Sequence, residues 1–377
     1  MRVVQTSKAY SPLLGGVETT VTNLSEGLCR RDGVSTQVLV CNHERSFRVT
    51  RRQMNGVPVT YAPSWGFIWS LPVSPSYGSL LAALKGEILH IHEPFPLADL
   101  SVLLSRRITR NFSKIVVSWH SDIVRQKWAL GGYRPILHKF LRNVDRILVS
   151  TPQLIGSSEY LPLYRDHCEV IPHGVRLEWV RQQKTRRTRV EQIRERFGTP
   201  LLLFVGRLVY YKGLKFLVAA LSILPGVRLV MIGSGSLFAE LRDQIASLGL
   251  EGRVSIIPPV PEEELHAFYE ACDIFVFPST EKSETYGLVQ IEAMACGKPV
   301  VSTNLNTGMT YLNQDGITGL TVPPCNSSAL ADAIQKLVDD TNLRASLGNS
   351  ARNRALREFS AETMVDRTVE LYKRLLV

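Results

Sequence analysis

Two glutamates eight positions apart, Glu284 and Glu292, stand in the run Ser283-Glu284-Thr285-Tyr286-Gly287-Leu288-Val289-Gln290-Ile291-Glu292. Glu284 follows the strand-like DIFVFPS, and Glu292 falls in a helical pattern. A helix starting near Tyr286 would put Glu284 at its mouth and Glu292 on the same side about two turns in. Carboxylates accept from hydroxyl groups, and free amides around Gly287, Leu288 and Val289 would meet phosphate or hydroxyl oxygens. The chemistry on offer is the grip on a sugar or a phosphorylated sugar. The plain alternative is a helix-terminal carboxylate plus a surface glutamate.

Further upstream, the strand-like LLLFV runs into Gly206-Arg207 and then Lys212-Gly213, two cations flanking a turn into a helix. Fixed positive charge, close backbone approach and a helix amino end suit a diphosphate. Ile232-Gly233-Ser234-Gly235 is a partial dinucleotide fingerprint whose sixth place holds Phe238, so it reads as a strand-to-helix turn beside a ligand. Near the start, Gly15-Gly16-Val17-Glu18 opens a helix whose bare amides also suit a phosphate. His120 directly follows the apolar KIVVSW.

Each of these groups stands just after a strand, which is where ligands lie in open α/β sheets. The strands are read from short runs rich in β-branched residues: MRVVQTS, TQVLVC, PVTYA, EILHIH, KIVVSWH, RILVST and CEVIP, then LLLFVG, VRLVMIG, RVSIIPP, DIFVFPS and KPVVST. Helical stretches lie between many of them, at 17–31, 97–109, 213–224, 237–248, 262–271, 287–295 and 327–338. This alternation predicts parallel sheets covered on both faces, in two doubly wound α/β domains. The expected boundaries are a first domain over 1–175, a linker over 176–199, a second domain over 200–341 and a helical segment over 342–377 that caps the second domain or crosses back to the first.

A length of 377 residues agrees with two domains, and 45% apolar against 21% charged residues excludes a disordered chain. No uninterrupted apolar stretch of membrane-spanning length occurs, and MRVVQTSKAY has no signal-peptide core, so the cytosol is the expected location. The scattered cysteines form no CxxC pair, which leaves no zinc site and no disulfide framework. Residues 1–200 hold 28 Lys+Arg against 15 Asp+Glu, whereas residues 201–377 hold 16 against 19. The basic half points to an anionic membrane, a phosphate-bearing substrate or nucleic acid. Part of the excess is local, in Arg181, Lys184, Arg186, Arg187, Arg189, Arg194 and Arg196, and a solvated linker or helix face explains that part equally well.

Taken in order, Gly15-Gly16-Val17-Glu18, His120, Gly206-Arg207, Lys212-Gly213 and the Glu284–Glu292 pair followed by Ala293-Met294-Ala295-Cys296-Gly297-Lys298-Pro299 resemble the signature of the family 4 retaining glycosyltransferases. The resemblance spans nearly the whole chain. It implies the GT-B fold, two facing Rossmann-like domains with a cleft between them. It also implies roles. Gly16 would let its backbone approach the donor β-phosphate, with Gly15 and Gly206 also on the donor side, where the turn at Gly233 read above joins them. Arg207 and Lys212 would neutralise the diphosphate leaving group. Glu292 would hold the ribose, and Glu284 with the loop Tyr286, Gly287, Leu288 and Val289 would hold the donor sugar, which His120 would touch from the first domain. Retention of anomeric configuration comes from the resemblance alone.

Transfer proceeds through an oxocarbenium-like state, so most of the catalysis is stabilisation of departing negative charge. Two fixed cations can do that, and no D-x-D occurs in the chain, so metal independence and no cofactor are expected. Trp119-His120-Ser121-Asp122 and the 302–308 loop look similar to bacterial enzymes building surface polysaccharides, some using GDP-mannose-type donors; UDP-hexose donors stay open. The acceptor expected is a saccharide or a lipid-diphosphate-linked saccharide. Arg106, Arg107 and Arg110, with the aromatic loop carrying Trp65 and Trp69, suggest peripheral contact with an anionic membrane, unless the tryptophans are core residues. An NAD-type oxidoreductase lacks its glycine fingerprint here, a nucleic-acid partner lacks a binding module, and a GT-B sugar-nucleotide epimerase is the nearer rival.

Overall fold

The strand-like runs become two sheets. The computed structural model describes residues 1–11, 15–68, 71–122 and 127–377, with backbone alone for 127–131 and 181–185. It divides into one unit of Met1–Gly174 with Ala361–Val377 and a second of Val175–Ser360.

The first unit carries β1 (Arg2–Ser7), β2 (Ser35–Cys41), β3 (Thr50–Met54), β4 (Val57–Ala62), β5 (Phe67–Ile68), β6 (Leu71–Pro72), β7 (Gly86–Glu93), β8 (Phe112–Trp119), β9 (Arg146–Val149) and β10 (Cys168–Val170). Eight of them form one sheet in the order β10-β9-β8-β7-β1-β2-β4-β3, parallel except for the β3–β4 edge, while β5 and β6 pair antiparallel in a separate two-stranded sheet. On one face the pleat changes chemistry along its length. Val3, Ile88, Val116, Leu148 and Ile171 pack against Leu24 and Leu28 of the helix Gly16–Cys29 and Met364 and Val365 of the helix Ala361–Leu376. Two residues further along, on the same face, stand Gln5, His90, Ser118, Ser150 and His173. The carboxyl half of this buried face is polar.

The second unit carries β11 (Leu201–Val205), β12 (Arg228–Ile232), β13 (Val254–Ile257), β14 (Ile274–Phe277), β15 (Val300–Thr303) and β16 (Gly319–Val322), in the order β13-β12-β11-β14-β15-β16 and wholly parallel. Buried runs such as Leu201–Val205 and Ile274–Phe277 are apolar on both faces because helices cover both.

Residues 176–199 fold within this unit. The helix Gln183–Phe197 packs on the helix Glu262–Ala271, where Arg186 pairs with Glu270 and Arg189 with Glu264, while Arg194 reaches Asp273 at 2.8 Å. The local arginine excess is therefore largely met inside the unit. By structural unit the charge becomes 23 Lys+Arg against 15 Asp+Glu in the first and 21 against 19 in the second. The segment 342–377 splits at Ser360: the helix Thr341–Glu358 stays with the second unit, and the helix Ala361–Leu376 belongs to the first. The helix expected over 97–109 is two, Pro96–Leu104 and Arg106–Asn111, broken where Ser105 turns extended. No described helix is long and apolar enough to cross a membrane.

Candidate active site

In the second unit the loop after β11 is built around glycine. Gly206 (φ +152°) and Gly233 (φ +157°) let the loops after β11 and β12 touch, since a Cβ on Gly233 would lie 1.9 Å from the Gly206 carbonyl oxygen. Arg207 is exposed and donates to the Tyr211 hydroxyl at 2.6 Å. Lys212 is buried: its ammonium pairs with the Glu284 carboxylate and sits 4.4 Å from the centre of the Phe277 ring. Ser279 donates to the same carboxylate at 3.3 Å, and Thr307 donates to the Glu284 carbonyl at 3.0 Å. The structure thus brings Lys212 and Glu284, far apart in sequence, into one cluster at the carboxyl ends of β11 and β14.

Glu292 is placed differently from expectation. Gly287 holds φ +80°, so the helix begins only at Val289 and Glu292 lies in its first turn rather than about two turns in. There a carboxylate interacts favourably with the helix dipole. Burial pushes its pKa up to about 7, against the nearby Tyr269 hydroxyl, which favours the ionised form, while the charge of Glu262 adds to the rise. Tyr286 is buried, and its carbonyl accepts from Gln290 Nε2 at 3.2 Å, fixing the loop through Gly287 and Leu288.

In the first unit Gly15 is the extended residue before the helix Gly16–Cys29, and a Cβ on Gly16 would meet nothing within 4 Å. His120 is buried at the end of β8. Its Nε2 lies 3.0 Å from His92 Nδ1 and its Nδ1 lies 3.2 Å from His173 Nε2, within a row that continues through Gln5 to Tyr372 and His90. Burial, reinforced by the neighbouring imidazoles, drives the His120 and His92 pKa values well down; burial lowers His173 to about 4.

Trp65 is half exposed, at 52%, so it is no core residue; Trp69 lies outside the described residues. Arg106, Arg107 and Arg110 are exposed on the helix leading into β8, at the amino end of the sheet, whereas Trp65 follows β4 at its carboxyl end. The structure does not bring these two groups together. Trp65 instead stands with exposed Phe47, Phe67 and Ile68, where Ser46 and Ser64 exchange backbone hydrogen bonds of 2.8 Å and Arg45 donates to the Trp65 carbonyl at 2.8 Å.

Among residues the sequence reasoning missed are Tyr269, Tyr211 and Ser279, and in the first unit Gln5, His92, His173 and Tyr372. The period-two spacing of His90 and His92 on a strand was the one available signal. Among the described residues no group of three or more His, Cys, Asp or Glu is arranged to hold a metal.

Residues 14–179 match the family Glycosyltransferase Family 4, and residues 185–354 match Glycosyl transferases group 1. The chain is 33% identical to the O-antigen chain mannosyltransferase C of Escherichia coli, over 100% of this chain and 99% of that one. The chain belongs to glycosyltransferase family 4. This glycosyltransferase is also 34% identical to the D-rhamnosyltransferase WbpZ of Pseudomonas aeruginosa, over 96% of its own length and 93% of the relative's. Two solved structures share its fold: sucrose-phosphate synthase from Thermosynechococcus elongatus (TM-score 0.77, 23% identity, covering 100% and 99%) and Anabaena Alr3699/HepE in complex with UDP (TM-score 0.79, 20%, covering 99% and 100%). The fold of this family 4 enzyme is GT-B, with two Rossmann-like units.

Proposed function

We propose that this glycosyltransferase moves a hexose from a nucleoside diphosphate sugar, GDP-mannose in chemistry, to a saccharide carried on a lipid diphosphate, during assembly of a bacterial surface polysaccharide such as O-antigen. The buried Lys212–Glu284 pair beside the Gly206–Arg207 turn carries this reading. An ammonium held next to a carboxylate can grip a phosphate oxygen and a sugar hydroxyl at once. The mannosyl and rhamnosyl activities named for the two full-length relatives favour a mannose-type sugar on the donor.

In this reading Arg207 and Lys212 neutralise the leaving diphosphate as the bond to the anomeric carbon breaks, so the reaction needs no metal ion. Glu292 accepts from both ribose hydroxyls. Glu284 and the amides of Gly287, Leu288 and Val289 orient the hexose, and Gly16 admits backbone against the phosphates. His120 meets the sugar. The anomeric configuration is retained, with the acceptor hydroxyl arriving on the face the diphosphate leaves.

The acceptor reading includes contact with the inner face of the cytoplasmic membrane. Phe47, Trp65, Phe67 and Ile68 are exposed together, and Arg45 and Arg48 flank them. Aromatic side chains beside arginines suit the headgroup region of an anionic bilayer.

Incubation with GDP-mannose, UDP-glucose and UDP-galactose, a lipid-diphosphate acceptor and excess chelator tests the assignment. Transfer from GDP-mannose, with an α-linked product by NMR, is the expected result. Transfer from a UDP-sugar alone, a β-linked product or strict metal dependence would overturn the corresponding part.

A further inference from the structure

One amide sets the hydrogen directions along the buried row in the first unit. Gln5 Nε2 donates to the Tyr372 hydroxyl at 3.3 Å, so that hydroxyl gives its own proton to His90 Nδ1 at 2.5 Å. His90 then carries its proton on Nε2 and donates to Ser118 Oγ at 2.8 Å. On the other side Gln5 Oε1 can only accept, so His92 is protonated on Nε2, 2.7 Å away, and offers a bare Nδ1 to His120. His120 must donate from Nε2, and its bare Nδ1 accepts from His173 Nε2. Turning the Gln5 amide over would reverse every member, and His120 would then hold its proton on Nδ1.

We propose that Gln5, anchored by Tyr372 on the last helix, is a positioning residue for the transfer reaction, fixing the His120 ring with its proton on Nε2 and a bare, accepting Nδ1. The proposal rests on the reading that His120 meets the donor sugar. A sugar becoming an oxocarbenium-like cation is opposed by an imidazolium and is served by a neutral ring whose lone pair takes a sugar hydroxyl. Burial between His92 and His173 opposes an imidazolium at His120 and keeps the ring neutral. His173 is half-buried where His90, His92 and His120 are buried, and its N–H is the one a sugar hydroxyl would replace at His120 Nδ1.

Packing alone does not ask for this row. The amino half of the same sheet face is filled by Val3, Ile88, Val116, Leu148 and Ile171, whereas the carboxyl half, at the strand ends where ligands lie, buries a connected polar network.

Histidine-labelled enzyme, read by long-range proton–nitrogen NMR, reports the tautomer directly. The expected result is one form of His120, protonated on Nε2 only. Gln5→Met and Tyr372→Phe, each of similar size to the residue replaced, should mix or invert that tautomer and lower kcat by about tenfold, with donor KM changing less. A wild-type His120 protonated on Nδ1 overturns the proposal even if neither variant folds. So does a folded Gln5→Met that changes the tautomer but keeps kcat, or that changes neither. His120→Ala tests the underlying reading separately: an unaltered kcat there removes His120 from the site, whatever its tautomer.

Discussion

Lys212 and Glu284 are paired ammonium to carboxylate, each side chain about nine-tenths buried, with Ser279 donating to the same carboxylate oxygen. Removing one partner leaves the other charged and desolvated. Lys212→Ala should therefore cost about 3 kcal/mol of stability. Lys212→Met combined with Glu284→Leu should recover most of that stability and none of the activity. Denaturant unfolding of the two singles and the double checks this, and additive losses would contradict the coupling.

The raised pKa of Glu292 has a sign. A carboxyl with a pKa of about 7 is partly protonated at neutral pH, and in the role proposed for Glu292 only the ionised form would accept from both ribose hydroxyls. Affinity for GDP-mannose, which has no terminal phosphate oxygen titrating in this range, should rise with pH up to about 7 and level off above it. Below that point it should fall by up to about tenfold per pH unit. Glu292→Gln should bind weakly and flatten the profile. Calorimetric titration across this range is the check, and a flat wild-type profile would count against the role.

Two glycines should behave in opposite ways. A Cβ on Gly233 would strike the Gly206 carbonyl oxygen at 1.9 Å, in a backbone conformation at φ +157° that side chains avoid. Gly233→Ala should lose on the order of 3 kcal/mol of stability. Gly16 has nothing within 4 Å of its would-be Cβ, so Gly16→Ala should melt like the wild type while weakening donor binding. A Gly16→Ala variant with unaltered donor affinity would show that no phosphate lies against that backbone.

Much of the fold can be read in the sequence, because the buried parallel strands are written in Val, Ile and Leu between turn residues. The edge strand Thr50–Met54 is hidden, since Arg51, Arg52 and Gln53 all face solvent and leave no alternation. The late start of the Glu292 helix depends on the positive φ of Gly287, which glycine permits without requiring it. The separation of Arg106 from Trp65 follows from which end of the sheet each segment reaches, and that needs the strand order. The histidine row needed it too. His90 and His92 declare their shared face by spacing, but His120, Gln5 and Tyr372 join them only because β8, β7 and β1 are neighbours and the last helix lies over them.

Membrane contact should depend on the patch that Trp65 shares with Phe47 and Ile68. Sedimentation with vesicles containing phosphatidylglycerol should carry down the wild type and leave the Phe47→Ala, Trp65→Ala, Ile68→Ala triple variant in solution. Binding should weaken as salt is raised, because the arginine contribution is screened. Equal binding of a folded triple variant would place the contact elsewhere.

The most direct test of the donor site is calorimetric binding of GDP-mannose with excess chelator, repeated on Arg207→Ala. The account predicts binding that the chelator leaves untouched and that Arg207→Ala weakens by about 10- to 100-fold, the worth of a charge-assisted hydrogen-bond pair to phosphate. Binding that requires added metal, or an Arg207→Ala variant with undiminished affinity, would contradict the claim that fixed cations of the second unit hold the leaving diphosphate.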